Sequence, residues 1–243
     1  SRPEVLMLKR HAKAECAAGA YGFPGGRLDA TDSIPAALAL SRGFSATAAA
    51  SLMDVTSTSK ALGFWIAALR QTFEETGILL ARYGDGRLWQ PTPRETALIA
   101  ANRRALQQGV TTFANLMHDL ERALATDLLV YFAHWITPEI RPLRFSTRFF
   151  LAHVPSGLTA QPENVDVGDA VWIPPEEALQ RHARGEMEMM TVTTKLLQRL
   201  SPFPSALAAV EHFRDVPVET VLPKAVRQED GSSRMLYPGD EGY

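Results

Sequence analysis

The sequence predicts an α/β fold on three observations. Short apolar runs have strand character, apolar stripes at helical spacing lie between them, and Gly and Pro mark the junctions. Val5-Leu6-Met7-Leu8, closed by Lys9-Arg10-His11, reads as a strand with a polar end. Residues 12–22 are small and glycine-containing and read as a loop. Phe23-Pro24-Gly25-Gly26 then breaks regular structure and brings bare backbone close to a neighbour. Residues 29–59, rich in Ala, Ser and Thr, read as an excursion of short helix and loop.

From Lys60 the pattern turns helical. Leu62, Trp65, Ile66, Leu69 and Phe73 form one apolar stripe, Thr58 or Ser59 offers a cap, and Gly77 closes the helix. Ile78-Leu79-Leu80-Ala81 follows as a strand, ended by Tyr83-Gly84-Asp85-Gly86. Thr92-Pro93-Arg94-Glu95 starts a helix to about Gln108, and residues 112–125 read as a second one. The polar, alternating-sign faces of this pair make it a lid or a dimer element. Residues 128–133, 148–153 and 170–173 read as strands, with Trp135, Phe149, Phe150 and Trp172 as core aromatics. Helices are expected from Pro175 and from Thr193 to Leu200, with Lys195 and Arg199 solvated. The tail from Pro217 has no periodicity and reads as a strap around the domain or a partner subunit.

Composition narrows the function classes. A chain of 243 residues with 46% hydrophobic and 21% charged residues can bury a full core. The net charge of −2, with scattered Lys and Arg, offers no nucleic-acid or anionic-membrane surface. A single cysteine, Cys16, excludes an intrachain disulfide and a Cys-rich metal site, and fits a reducing compartment. No apolar run has the length of a membrane span and no signal-peptide pattern opens the chain, so a soluble cytoplasmic protein is expected.

The chemistry sits on the helix from Lys60. Gln71, Glu74 and Glu75 fall at i, i+3 and i+4 and share a face, and Arg70 is the i, i+4 neighbour of Glu74. Adjacent carboxylates facing a cleft repel each other unless a cation lies between them, and their hard oxygens suit Mg²⁺ or Mn²⁺. A Glu-Glu doublet alone is most often a solvated face. Here it comes with Arg70 before it, Gly77 and Ile78 after it, and Phe23-Pro24-Gly25-Gly26 upstream.

That combination resembles the Nudix box: Gly, five residues, Glu, seven residues, then Arg-Glu-aliphatic-x-Glu-Glu-x-Gly-aliphatic. Gly26 matches the first glycine, Asp32 stands at the first glutamate, and Arg70, Glu74, Glu75, Gly77 and Ile78 match the second half. Between Asp32 and Arg70 the usual seven residues have become thirty-seven. Such a split box is similar to that of the animal peroxisomal coenzyme A diphosphatases and their bacterial relatives. Further matches at Val5 to Arg10, Ser146 to Phe150 and Trp172 to Ala178 extend the resemblance over most of residues 4–200.

The resemblance implies one Nudix domain over residues 1–243, an α/β/α sandwich with a mixed sheet, and insertions at about 33–59 and 91–126. It also implies Mg²⁺- or Mn²⁺-dependent hydrolysis of a nucleoside diphosphate linked to another moiety, with a small-molecule nucleotide as substrate. Glu74 and Glu75 would hold the metal, with Gln71 and the Gly26 carbonyl as further ligands, and Arg70 would orient the glutamates. Gly25 and Gly26 would approach the substrate. Coenzyme A or an acyl-coenzyme A is the leading substrate, and ADP-ribose, NADH or a dinucleoside polyphosphate the runner-up. Members of the family often dimerise, which makes the insertion and the tail candidate contacts of a homodimer.

Two positions depart from the pattern. Asp32 for Glu is mild. Gln71 stands where the family has a glutamate that ligates metal and helps activate water, and a glutamine cannot act as a base near neutral pH. Three readings follow: an enzyme whose base lies elsewhere, with Asp166 or Glu163 as candidates; an engineered inactive form; or a Nudix-fold protein that binds ligand without turnover. The first is preferred. Arg10 and Arg148, at strand ends, are candidates for phosphate binding as well as for surface salt bridges. The six histidines show no paired ligand spacing.

Overall fold

The computed structural model describes residues 2–11, 17–154, 160, 167–228 and 232–243. The first strand, β1 (Val5–Arg10), is followed by the short β2 (Tyr21–Gly22). A 3₁₀ turn at Ala30–Ser33 leads to α1 (Pro35–Leu38), α2 (Ala46–Leu52) and the long α3 (Thr58–Thr76). Next come β3 (Ala81–Arg82), α4 (Pro93–Gln107), α5 (Phe113–Asp119) and β4 (Ala123–Leu124). Strands β5 (Val130–Ile136), β6 (Ser146–Leu151) and β7 (Val167–Ile173) precede α6 (Pro175–Ala183), α7 (Thr191–Leu200) and α8 (Ala206–Arg214). The chain ends with β8 (Thr220–Val221), β9 (Lys224–Arg227) and β10 (Ser233–Leu236).

Two three-stranded sheets carry the architecture, in the orders β2-β1-β7 and β6-β5-β8. The first is antiparallel throughout; the second is mixed, because β8 runs parallel to β5. Strand alternation divides their side chains between two helical layers. Leu6, Leu8 and Tyr131 pack with the α3 stripe, whereas Met7 packs with Ile173, Ala178 and Leu197. Val130 and Phe132 meet Leu196, Leu200, Ala209, Val210 and Phe213 of α7 and α8. Helix on both faces of the strands is the expected α/β/α arrangement.

The stripe on α3 behaves as its spacing predicts. Leu62, Trp65, Ile66, Leu69 and Phe73 are all buried, and Trp65 Nε1 donates to the Leu129 carbonyl at 3.2 Å. At roughly 1.5–3 kcal/mol for each large apolar side chain removed from water, this face holds the helix rigidly to the strands. The N-cap is Ser57, one residue before the expected Thr58 or Ser59, and its hydroxyl accepts from Lys60 N. Gly77 ends the helix in the left-handed region at φ 75°, with its N–H on the Phe73 carbonyl.

Several elements differ from expectation. Ile78, Leu79 and Leu80 are buried but not in strand; only Ala81 and Arg82 pair, with β4. Their apolar run reflects burial on the α3 side of the core rather than a ladder. The helix expected over 112–125 stops at Asp119, and Glu121 takes a positive φ of 53° to turn the chain into β4. Helices α4 and α5 pack on the core cluster of α3. Helix α8 was not expected, and the tail adds β8 to the edge of β5 before forming the β9–β10 hairpin. Arg199 is exposed, as expected, while its guanidinium rests 4.6 Å from the Phe132 ring centre and 4.9 Å from that of Phe213, and partial burial lowers its pKa. Trp172, read as core, is 36% exposed. Cys16 lies outside the described residues.

An alanine at Gly77 must hold a left-handed backbone, a cost of roughly 1–2 kcal/mol. Urea unfolding of Gly77→Ala should show a lower midpoint at an unchanged slope.

Candidate active site

The site forms where the Phe23–Gly26 loop meets the C-terminal half of α3. Its anchor is Arg70. Although only 6% exposed, its guanidinium donates from Nε and Nη2 to Asp32 at 2.7 and 2.8 Å, from Nη2 to the Arg27 carbonyl at 3.0 Å, and from Nη1 to Glu74 at 3.0 Å. The Asp32 pairing is the two-pronged geometry that a guanidinium and a carboxylate share. Burial opposes the charge on Arg70, but Asp32 and Glu74 together outweigh it and raise its pKa above the ordinary value.

Asp32 reaches Arg70 because of its own local structure. Asp29 and Asp32 form a reciprocal capping box around the 3₁₀ turn, with Asp29 N donating to Asp32 Oδ2 at 2.8 Å and Asp29 Oδ1 accepting from Thr31. The turn is pressed against α3, and a Cβ at Gly63 would overlap the Ser33 hydroxyl. Asp32 is therefore 1% exposed and aimed along the helix.

The two loop glycines bind the helix from outside. Gly25 N donates to Glu75 Oε2 at 2.8 Å. The position of a Cβ on Gly26 is filled by the Gln71 amide, with Cδ at 2.5 Å and Nε2 at 2.7 Å. Only glycine permits that approach. Gly25, Gly26, Arg70, Gln71, Glu74 and Glu75 are thus gathered in one place, together with Asp32.

Burial raises the Glu74 pKa against the pull of Arg70, with Asp32 and Asp29 adding to the rise. A raised folded-state pKa means that ionised Glu74 detracts from stability at neutral pH, a penalty relieved as pH falls through that pKa. A nearby cation would relieve it too. The oxygen donors of Glu74, Glu75 and Gln71 match a hard divalent ion. Among the described residues no three His, Cys, Asp or Glu are placed together to hold a metal ion, so an ion on Glu74 and Glu75 would take the rest of its shell from water and substrate phosphate.

Sequence reasoning missed Arg103 and Gln107, whose side chains donate to the Glu74 carbonyl at 2.9 and 2.6 Å. That carbonyl is one of the last in α3 and has no partner within the helix, so an Arg there is favourable both as donor and as charge. Their spacing on α4 was visible; their target was not. Arg10 sits at the exposed end of β1, and its backbone N–H bonds the Ala20 carbonyl. Arg148 on β6 lies 4.2 Å over the Phe64 ring, nearer the start of α3. Asp166 and Glu163 lie outside the described residues.

This geometry marks a Nudix site, a glycine-bearing loop closed on an Arg- and Glu-bearing helix. The family model of the NUDT19 Nudix domain matches residues 2–200, and the chain belongs to this family of Nudix hydrolases. It is accordingly a hydrolase acting on diphosphate bonds. The chain is 28% identical to the acyl-coenzyme A diphosphatase NUDT19 of Gallus gallus, over 99% of this chain and 72% of that protein. It is 29% identical to the Homo sapiens protein of the same name, over 98% of this chain and 72% of the other. Among solved structures, a Nudix hydrolase from Alicyclobacillus acidocaldarius superposes with a TM-score of 0.68 at 26% identity, covering 86% of this chain and 87% of the other.

Removing Asp32 strands a buried guanidinium. Asp32→Ala should lower unfolding free energy by about 3 kcal/mol or more, measured in urea, whereas removal of the exposed Asp85 partner of Arg87 should leave it nearly unchanged.

Proposed function

We propose that this protein hydrolyses the diphosphate of coenzyme A or of an acyl-coenzyme A, with Mg²⁺ or Mn²⁺ held by Glu74 and Glu75. The products are adenosine 3′,5′-bisphosphate and 4′-phosphopantetheine or its acyl form. The observation that carries this reading is the clasp of Gly25 on Glu75 beside Gly26 on Gln71, in a chain similar to acyl-coenzyme A diphosphatases along nearly its whole length. When bound, the metal supplies charge that polarises the phosphorus–oxygen bonds and lowers the pKa of a water. Gln71 and the Gly26 carbonyl complete the protein's oxygen donors.

The chain's own residues do the rest. Arg70 holds Glu74 in one orientation, so no side-chain freedom is lost when substrate arrives. Gly25 N fixes Glu75 through one oxygen. Water attacks one phosphorus, the bridging phosphorus–oxygen bond breaks, and the attacking water gives up a proton. Gln71 cannot take it, and we assign that task to Asp166, six residues before Trp172. Arg10 is assigned to the substrate's phosphates.

A second reading, ligand binding with little turnover, is favoured by Gln71 and by the long helical insertion. A panel of coenzyme A, ADP-ribose and NADH in Mg²⁺ and Mn²⁺ separates the two. The first reading expects product from coenzyme A ahead of the others; calorimetric binding without product supports the second.

Two variants test the assigned roles. Gln71→Glu adds a charged ligand and should raise both turnover and the metal-induced increase in Tm; no change in either, with the fold intact, would remove position 71 from the metal site. Asp166→Asn should lower kcat by roughly 10²–10⁴-fold, and a retained rate would move the base elsewhere.

A further inference from the structure

A cavity of about 540 Å³ opens beside the first turns of α3, away from the clasp, and Lys60, Phe64, Ser146 and Arg148 are in its lining. Phe64 and Lys60 precede Gln71 by seven and eleven residues, so all three lie within a narrow sector of one helix face. Along the axis Phe64 is about 10 Å and Lys60 about 16 Å from Gln71. Leu28, two residues past Gly26, also lines the cavity and joins it to the glycine loop. Cavity and clasp are therefore two stations along the same side of α3.

The cavity is cationic, and its cations are not paired with carboxylates. Among the described residues neither Lys60 nor Arg148 has a carboxylate within ion-pair distance. Even with Asp54 in its lining, the cavity keeps a net positive charge. The Arg148 guanidinium rests on the Phe64 ring, with Nη1 3.4 Å from Ser146 Oγ, while its Nε is buried without a hydrogen-bond partner. A partly buried cation without a carboxylate beside it costs free energy that a bound anion would recover through its charge. Ser146 is itself steadied by His134 Nε2 at 2.8 Å, and His134 is bonded on its other nitrogen to Thr220. This back wall is assembled before any ligand arrives.

We infer that this cavity is a specificity site for the phosphate monoester on the ribose of the substrate's nucleotide half, gripped by Lys60 and Arg148. It would separate coenzyme A, which carries a 3′-phosphate, from diphosphates that lack one. The inference rests on the proposed reaction for its substrate. Its chemistry follows from the cavity: two cationic donors for a phosphate, on the same helix face as the proposed diphosphate site.

Calorimetry on the full chain in Mg²⁺ with adenosine 3′,5′-bisphosphate and with AMP isolates the 3′-phosphate without requiring turnover. The bisphosphate should bind at least about tenfold more tightly, the usual scale of a charge-assisted contact. Lys60→Ala, at an exposed position, and Arg148→Gln should each bring that ratio towards one, and Arg148→Lys should keep part of it. Equal affinity for the two ligands, no detectable binding of either, or a ratio untouched by both variants would overturn the site. Hydrolysis of coenzyme A is read separately, so a failed site with intact hydrolysis leaves the proposed reaction standing. Failed hydrolysis with an intact ratio overturns the reaction alone.

Discussion

Arg70 and Asp32 form a buried ion pair that joins two distant stretches of the chain, the turn after the glycine loop and the middle of α3. Because both charges are out of water, each needs the other, and the position of one dictates the position of the other. Asp32 is steadied by its capping box, Arg70 by the helix, and their union brings the Arg27 carbonyl onto the same guanidinium. With that join made, Gly25 and Gly26 have little choice but to lie along Glu75 and Gln71. The arrangement of the site is thus a consequence of one electrostatic commitment made outside the cleft.

The strands and the other helices supply what the ion pair cannot, a fixed helix axis. Trp65 is packed among Phe44, Tyr131 and Phe150, and its indole N–H is tied to Leu129. At the far end Arg103 and Gln107 of α4 both hold the Glu74 carbonyl, so the helix is restrained at its C-terminal end as well. Residues on one face of such a helix keep constant separations, which is what a two-ended substrate requires.

Much of this was legible in the sequence. The stripe Leu62 to Phe73 was readable because burial on one side of a helix imposes a period, and the Glu74–Glu75 doublet because it stands four residues after Arg70 and just before Gly77. Gly77 and the Thr92 cap were readable because backbone geometry admits few residues there. Less visible were features set by distant partners. Ile78 to Leu80 looks like a strand because burial alone makes an apolar run, whether or not a ladder forms. The rings of Phe132 and Phe213 beside Arg199 had no signal, because an exposed cation does not announce the side chains its guanidinium rests on. Arg103, Gln107 and Lys60 carried no local signal, since their significance comes only from what the fold sets beside them.

The long segment between Asp32 and Arg70 leaves and re-enters at the ion pair, so it is a closed loop whose base is locked. Closure entropy grows only with the logarithm of length, and stretching such a loop from seven residues to thirty-seven costs only about 1.5 kcal/mol. That sum is within what the packing of α1 and α2 against α3 can offset. The segment can therefore lengthen, shorten or acquire new helices over evolutionary time while the chemistry beneath it stays in register.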